Sequence, residues 1–283
     1  MTDPKFTIRT MTRDDLDIAI DWAAREGWNP GKFDGDCYFK ADPKGFLMGF
    51  LGDTPIASIS LVKYKGNFAF LGFYIVAPPF RGKGYGLKLW THAIDTVKGF
   101  NVALDGVTDQ QDNYKKSGFK LAFANIRFQG KGGGSMPDTP EIIPLDKIPR
   151  DRFLAYDQPF FSGDRTKFIS SWITQPDSTA LGFVHKDELT GYGVIRECRQ
   201  GHKIGPLFAN TPNQALALFQ ALKSTMADGD PIFLDIPETN PQALELVRSH
   251  KMVPAFETAR MYTGPFPDLP MEKIFGITSF EVG

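Results

Sequence analysis

The stretch that decides the fold of this 283-residue chain is residues 68–89, FAFLGFYIVAPPFRGKGYGLKL. Its first nine residues are almost all apolar, which predicts a buried strand. Two prolines end the apolar run, and glycines then occupy positions 82, 84 and 86 before a pattern typical of a helix. The stretch therefore predicts a strand, a glycine-rich turn and a helix in direct succession.

The three glycines predict an anion site at the start of this helix. Glycine has no Cβ, so the backbone can turn tightly and a ligand can approach its N–H groups closely. The first N–H groups of a helix lack internal partners and carry partial positive charge. Arg81, Lys83 and Lys88 add positive charge nearby. A pyrophosphate fits such a loop, although a turn that only joins a strand to a helix gives the same local pattern.

Composition narrows the classes of function. Lys and Arg number 32 and Asp and Glu 33, for a net charge of −1, which gives no field to attract nucleic acid or an anionic membrane. The two cysteines lack the spacing of a metal site and favour a reducing compartment. The N-terminal MTDPKFTIRTMTRDD has no apolar segment. We expect a cytoplasmic monomer or homodimer with no metal and no nucleic-acid or membrane partner.

The chain divides at residues 131–140, KGGGSMPDTP, which we interpret as a linker because they offer little to bury. Before this linker, KFTIRTM is typical of a strand and TRDDLDIAIDWAAREG of a helix. Further strands are predicted at 45–51, 55–64, 68–76, 101–106 and 119–128, with helices at about 84–98 and 109–117. The second half repeats the order strand, helix, strand, helix, strand. Two segments align across the repeat, YKKSGFKLAFANIRF and VRSHKMVPAFETARMY, and indicate a duplication.

Two motifs in the first half resemble those of the GNAT superfamily of N-acetyltransferases. VAPPFRGKGYG is similar to the acetyl-CoA pyrophosphate loop of that family, in which Arg81, Gly84 and Gly86 fill the characteristic places. About thirty residues later, DNYKKSGF resembles the second motif, with Tyr114 shortly before Gly118 and Phe119. The resemblance covers residues 6–128.

The second half resembles, more faintly, a two-domain GNAT subfamily whose C-terminal domain is GNAT-like. The resemblance implies an α/β (α+β) fold of two tandem domains, each a mixed, mostly antiparallel twisted sheet flanked by helices. We assign residues 1–130 to the acetyl-CoA-binding domain and 141–283 to the second domain. In the second domain the segment ANTPNQA stands at the position of the glycine loop and contains no glycine or arginine. Val247 stands at the position that corresponds to Tyr114. We therefore expect the second domain not to bind acetyl-CoA in the usual way and to be non-catalytic.

The resemblance implies direct transfer of an acetyl group from acetyl-CoA, as co-substrate, to a primary amine of a small molecule or amino acid. Two alternatives stay open, namely an acetyl-CoA-binding sensor and a protein-lysine acetyltransferase. Residues expected to contact acetyl-CoA are Tyr74, Ile75, Val76, Arg81, Gly82, Lys83, Gly84, Tyr85, Gly86, Lys88, Asn113 and Tyr114.

Tyr114 is the candidate general acid for the departing thiolate, because a phenol of pKa about 10 is protonated at neutral pH. The alternative is a tyrosine that only packs beside the loop. Many GNAT proteins carry a glutamate on the strand before the glycine loop, but FAFLGFYIV contains no carboxylate. Asp105 and Glu26 are the candidate bases, acting directly or through water.

The acceptor pocket is expected to involve EGWNPGKFD, at the place where GNAT proteins carry a loop around the acceptor amine. Trp28 offers a flat apolar surface beside the amide of Asn29, although Trp28 is equally compatible with core packing. An aromatic and charged cluster in the second half is the other candidate. Its members are Tyr156, Asp157, Phe160, Phe161, Asp164 and Arg165, which we expect to face the cleft of the first domain.

Overall fold

The computed structural model describes residues 4–283. The strands are β1 (Phe6–Thr10), β2 (Phe46–Leu51), β3 (Thr54–Tyr64), β4 (Phe68–Val76), β5 (Asn101–Val107), β6 (Lys120–Lys131), β7 (Ile142–Pro144), β8 (Ser178–His185), β9 (Glu188–Glu197), β10 (His202–Ala209), β11 (Pro231–Pro237), β12 (Val253–Tyr262) and β13 (Ile274–Gly276). The helices are α1 (Arg13–Arg25), α2 (Asp34–Ala41), α3 (Tyr85–Asp95), α4 (Gln111–Lys116), α5 (Arg150–Asp157), α6 (Thr166–Trp172), α7 (Pro212–Ser224) and α8 (Pro241–Ser249).

The strands form one continuous sheet in the order β1-β2-β3-β4-β5-β12-β6-β11-β10-β9-β8-β7, with β13 paired to β10. Parallel pairs occur between β4 and β5 and between β10 and β11, and the other pairs are antiparallel. The predicted fold class, a mixed and mostly antiparallel sheet flanked by helices, is confirmed. The two halves share a single sheet because β6 of the first half pairs with β11 of the second, and β12 of the second half pairs with β5 of the first.

This exchange places β12 between β5 and β6, and β6 between β12 and β11. Arg260 on β12 lies opposite Asp105 on β5, and Arg127 on β6 lies opposite Asp235 on β11. Each arginine forms a bidentate ion pair with its aspartate, and the side chains of both pairs are buried. The same contact is thus made twice, and each copy joins the two halves.

The segment that we interpret as a linker is fixed against the second half. The N–H of Gly133 donates to the carbonyl of Lys223 at 2.8 Å, and the Lys223 ammonium donates back to the carbonyl of Gly133 at 2.6 Å. The N–H of Gly134 donates to the Asp228 carboxylate at 2.9 Å. These bonds hold the chain where it passes from β6 toward β7.

Two hydrophobic cores lie on opposite faces of the first half's sheet. The α3 face packs α3 against β3, β4 and β5 through residues such as Leu89, Trp90 and Leu104. The α1 face packs α1 and α2 against the same strands, and its core continues into α5 and α6 of the second half. Within residues 4–283, no helix has the length and apolarity needed to cross a membrane, and no three His, Cys, Asp or Glu side chains are grouped as metal ligands.

Candidate active site

The strands β4 and β5 pair in parallel only from Phe68↔Asn101 to Leu71↔Leu104 and then separate. Beyond Leu71, no strand within residues 4–283 pairs with the edge of β4 that faces β5, while β5 continues to pair with β12 on its other side. A cavity of about 690 Å³ opens between the two strands. Its volume lies within the range of small-molecule sites, and it passes through the sheet from one face to the other.

A bulge in β4 shapes this opening. Gly72 of β4 pairs with Ser60 of β3, and Ile75 pairs with Ser58, so β4 has one more residue than β3 between these two pairs. Within this bulge, Phe73 has a φ of 47°. Bulky residues rarely adopt such a φ, and bulges of this kind occur next to active sites. The Ser58 hydroxyl donates to the Phe73 carbonyl at 2.7 Å and stabilises the bulge. The extra residue reverses the alternation of side chains, so Phe73 and Ile75 point to the α1 face.

The cavity therefore has two differently lined ends. Lining residues on the α3 face, or next to the glycine loop, include Leu71, Tyr74, Val76, Arg81, Gly82, Leu104, Gly106 and Tyr114. Lining residues on the α1 face include Trp28, Phe73, Ile75, Phe256 and Phe280. One ligand can enter from each face, and the two can meet between β4 and β5.

The glycine loop lies at the α3-face end. Gly82 and Gly84 have φ values of +72° and +82°, and a Cβ on either would meet nothing within 4 Å. Gly84 is the N-cap of α3 without any side-chain cap, so the first N–H groups of this helix are available to a ligand. Gly86 is needed for a different reason, since a Cβ there would press on the Tyr74 hydroxyl at 2.8 Å. These features fit a pyrophosphate.

Arg81 joins this loop to two other elements. Its Nε donates to the Val76 carbonyl at 2.8 Å, and its Nη2 forms an ion pair with Glu26 at the end of α1. Both Arg81 and Glu26 line the cavity. Glu26 is thus already paired with a cation, which makes it a weak candidate for a free base.

Tyr114 lies in α4 and lines the cavity, with its ring stacked on Trp90 at 5.8 Å between ring centres. A Cβ on residue 106 would overlap the Tyr114 ring, so Gly106 allows this tyrosine to lie against β5. Burial raises the pKa of Tyr114 to about 12, and Tyr74 adds to the shift. Within residues 4–283 its hydroxyl has no hydrogen-bond partner. Tyr114 is therefore protonated at neutral pH and can donate to a ligand.

Asp105 lines the cavity only through its backbone, because its side chain is 0% exposed. Its carboxylate accepts bonds from Arg260 at 2.8 and 2.6 Å and from the Asn125 amide at 2.8 Å. Burial raises the pKa of Asp105, while Arg260 and Asn125 act in the opposite direction. The Asp105 carboxylate therefore joins the two halves through Arg260 and does not face the cavity.

Several predicted ligand contacts lie outside the cavity lining. Asn113 is exposed and donates to Gln110 at 2.8 Å, and Asn29 exchanges two bonds of 2.9 Å with the backbone of Gln200. Lys83 and Lys88 are exposed on the glycine loop and α3, and Tyr85 packs on β1. These last three can reach only the part of a ligand that extends beyond the cavity.

The structure does not bring the predicted second-half cluster to this cavity. Asp157 is paired with Arg165 at 2.9 and 2.6 Å in the core, where it also accepts from Tyr192. The remaining four members are held elsewhere. Tyr156 donates to the Thr190 carbonyl, Phe160 stacks on Phe208, Phe161 packs edge-on against Tyr64, and Asp164 pairs with Lys65. Contacts within the fold account for all six residues.

The second half instead contributes residues that the sequence analysis does not identify. Phe256, Glu257 and Thr258 of β12 and Phe280 of the C-terminal segment line the cavity. Three further lining residues, Thr108, Asp109 and Gln110, follow β5 in the first half. No local pattern marks the first group, because β12 reaches the site only through the strand exchange and Phe280 reaches it from the C-terminal segment.

In the second half the strands β10 and β11 separate in the same way, but β13 and the residue after it occupy the space between them. The parallel pairing of β10 and β11 ends at Ile204↔Leu234. Strand β13 then pairs with β10 through Leu207↔Gly276, and the N–H of Ile277 donates to the Asp235 carbonyl on β11 at 2.8 Å. The chain itself thus occupies the place that the cavity has in the first half. The expectation that the second domain does not bind acetyl-CoA in the usual way stays a prediction, and β13 gives it a physical reason.

Comparison with solved structures shows a shared fold. A putative acetyltransferase from Pyrococcus horikoshii superposes with a TM-score of 0.83 at 22% identity, covering 98% of this chain and 96% of that one. A tandem GNAT protein from the clavulanic acid biosynthesis pathway gives a TM-score of 0.65 at 13% identity, covering 93% of this chain and 100% of the other.

Sequence comparison shows the family. Residues 13–119 match a model described as the acetyltransferase (GNAT) family, and residues 153–276 match one described as an acetyltransferase (GNAT) domain. A holothin acyltransferase from Pseudoalteromonas sp. (strain SANK 73390) is 31% identical over 282 residues, which cover 98% of this chain and 95% of the relative. The chain therefore belongs to the GNAT family of acetyltransferases.

Proposed function

We propose that the chain transfers an acetyl group from acetyl-CoA to the primary amine of a small molecule or amino acid, while both substrates are bound. The observation that carries this proposal is the cavity between β4 and β5, which runs from the glycine loop through the sheet to the α1 face. Acetyl-CoA enters from the glycine loop, and the amine enters from the α1 face. The relative named as an acyltransferase supports group transfer over acetyl-CoA binding alone.

In this proposal the amine attacks the thioester carbonyl directly, without a covalent enzyme intermediate. The negative charge that develops on the carbonyl oxygen is stabilised by a backbone N–H near Ile75 or Val76, on the part of β4 that has no partner strand toward β5. The C–S bond then breaks, and Tyr114 gives its proton to the sulfur. Its raised pKa suits donation, because the phenol stays protonated over the whole neutral range.

Tyr114→Phe is expected to lower kcat by about 10- to 100-fold and to leave the Kd for acetyl-CoA unchanged. The effect is moderate because a thiol of pKa about 8.5 is already a tolerable leaving group. Release of free CoA with an amine substrate measures kcat, and calorimetry measures Kd. Tyr262→Phe is the matched control, since Tyr262 is similarly buried but lies outside the cavity. Full turnover in Tyr114→Phe would remove the acid role.

A further inference from the structure

Three aromatic side chains form one wall of the cavity on the α1 face. Trp28 comes from the loop between α1 and α2, Phe256 from the exchanged strand β12, and Phe280 from the C-terminal segment. The rings of Phe256 and Phe280 lie 6.2 Å apart at a tilt of 51°. We call these three residues the aromatic wall. Its members come from distant parts of the sequence and from both halves of the chain.

A single buried arginine holds the aromatic wall in place from behind. Arg127 is 2% exposed, and its Nη1 donates to the Trp28 carbonyl at 2.7 Å. Its guanidinium carbon lies 5.7 Å from the centre of the Phe256 ring and 4.9 Å from that of Phe280. Asp235 pairs with the same guanidinium at 2.7 and 2.8 Å, so the arginine presents no uncompensated charge. The wall is therefore backed by an arginine whose charge is paired with Asp235.

Two carboxylates that line the cavity near this wall are paired with arginines. Asp105 is buried against Arg260, and Glu26 is paired with Arg81. The buried carboxylate of Glu281, next to Phe280, lies outside the lining, where it accepts from Tyr38 at 3.0 Å and from Ser279 at 2.7 Å. Glu257 and Asp109 also line the cavity, but Glu257 alternates with Ala259 and Met261 and so points to the α3 face, and Asp109 lies in the turn after β5. Among the described residues that line the α1 face, every carboxylate thus has a cationic partner. An alkylammonium ion would lose water here without gaining a counter-charge.

We propose that the acceptor is a flat aromatic or heteroaromatic amine of low basicity, which presents its ring to the aromatic wall. This inference rests on the proposed acetyl transfer. Conjugation with a ring lowers the basicity of an amine, so its nitrogen keeps a free lone pair at neutral pH and no strong base is required. Aromatic rings pack well against such a wall in tilted or offset arrangements.

The step balances without any further reactant. The amine nitrogen forms a bond to the acetyl carbon, the C–S bond breaks, and Tyr114 protonates the sulfur. The nitrogen then loses one proton, which passes through water and restores the Tyr114 phenol. The products are the N-acetylated aromatic amine and free CoA.

Three amines separate recognition of a ring from basicity. The probes are p-anisidine, which is aromatic and weakly basic, 4-methoxybenzylamine, which is aromatic and strongly basic, and cyclohexylamine, which is strongly basic without an aromatic ring. At pH 7 we expect kcat/KM for p-anisidine to exceed that of cyclohexylamine at least about tenfold, since an alkyl amine of pKa near 10.4 is almost entirely charged. Its kcat/KM should be constant between pH 6.5 and 8.5, whereas those of the alkyl amines should rise with pH.

Substitution in the wall tests the contact itself. Phe280→Ala is expected to raise KM for p-anisidine about tenfold or more while the Kd for acetyl-CoA stays unchanged, because the ring loses its apolar partner. Phe256→Leu is the second variant in case Phe280→Ala fails to fold. Phe266→Ala is the control, since Phe266 is 52% exposed and outside the cavity.

The outcomes distinguish this inference from the proposed function. If acetyl-CoA does not bind, or no amine accelerates release of CoA, both are overturned. If acetyl-CoA binds and cyclohexylamine is acetylated as well as p-anisidine, acetyl transfer stands and the aromatic acceptor is rejected. An unchanged KM for p-anisidine in both wall variants also rejects it.

Discussion

A Gly84→Glu variant is expected to lose acetyl-CoA binding, with Kd raised at least about 100-fold, which corresponds to roughly 2.7 kcal/mol. Two effects act together. Gly84 has a φ of +82°, which a side chain adopts only with strain, and the new carboxylate would lie where the helix start and the nearby cations attract a pyrophosphate. Calorimetric titration of acetyl-CoA into the folded variant measures the change.

Gly229→Glu is the matched control for this experiment. Gly229 has a φ of +88°, and a Cβ on it would likewise meet nothing within 4 Å, but it lies in a turn of the second half. The control therefore suffers the same backbone strain and gains the same charge without touching the glycine loop. Tight acetyl-CoA binding by Gly84→Glu, or an equal loss in both variants, would show that the loop does not bind the pyrophosphate.

Arg260→Met is expected to lower the free energy of unfolding by about 3–5 kcal/mol, because it leaves the buried Asp105 carboxylate without its partner. The carboxyl pKa should rise well above its value in the unfolded chain. The folded state then binds more protons than the unfolded state, so stability falls as pH increases. The loss should accordingly be larger at pH 7 than at pH 5, as measured by denaturant unfolding.

Arg199→Met provides the comparison, since Arg199 also joins the two halves through an ion pair, with Asp21. The side chains of that pair are 48% and 50% exposed, and its removal should cost less than about 1 kcal/mol. The double variant Asp105→Leu and Arg260→Met should regain part of the lost stability, because no unpaired charge remains buried. Equal losses for Arg260→Met and Arg199→Met would contradict this assignment.

The sequence predicts the elements around the glycine loop well. The strand 68–76 coincides with β4, and the predicted helix start at Gly84 coincides with the N-cap of α3. Both follow from local rules, namely an apolar run that ends at prolines and glycines that allow a positive φ. Helix α2 and the short helices α5 and α6 are not predicted, because each has eight or fewer residues and too few turns for a helical period to stand out.

The strand exchange could not be predicted from local patterns. Both halves carry Leu-Asp on one strand, at Asp105 and Asp235, and an arginine on a later strand, Arg127 on β6 and Arg260 on β12. Either β6 or β12 therefore offers a suitable register and charge to either half of the sheet. The contribution of Phe256 to the cavity depends on this exchange, and Phe280 reaches the cavity from the C-terminal segment. On the acceptor side of the site, the sequence therefore predicts only Trp28 and the loop around it.

Calorimetric titration of acetyl-CoA into the wild-type chain, followed by release of CoA on addition of an amine, tests both the acetyl-CoA site and the transfer to an amine. We expect one site per chain, formed between β4 and β5, because β13 fills the corresponding place in the second half. We also expect release of CoA that depends on the amine. Two sites would contradict the role given to β13. Absence of binding would contradict the claim that the glycine loop and the separated strands form an acetyl-CoA site.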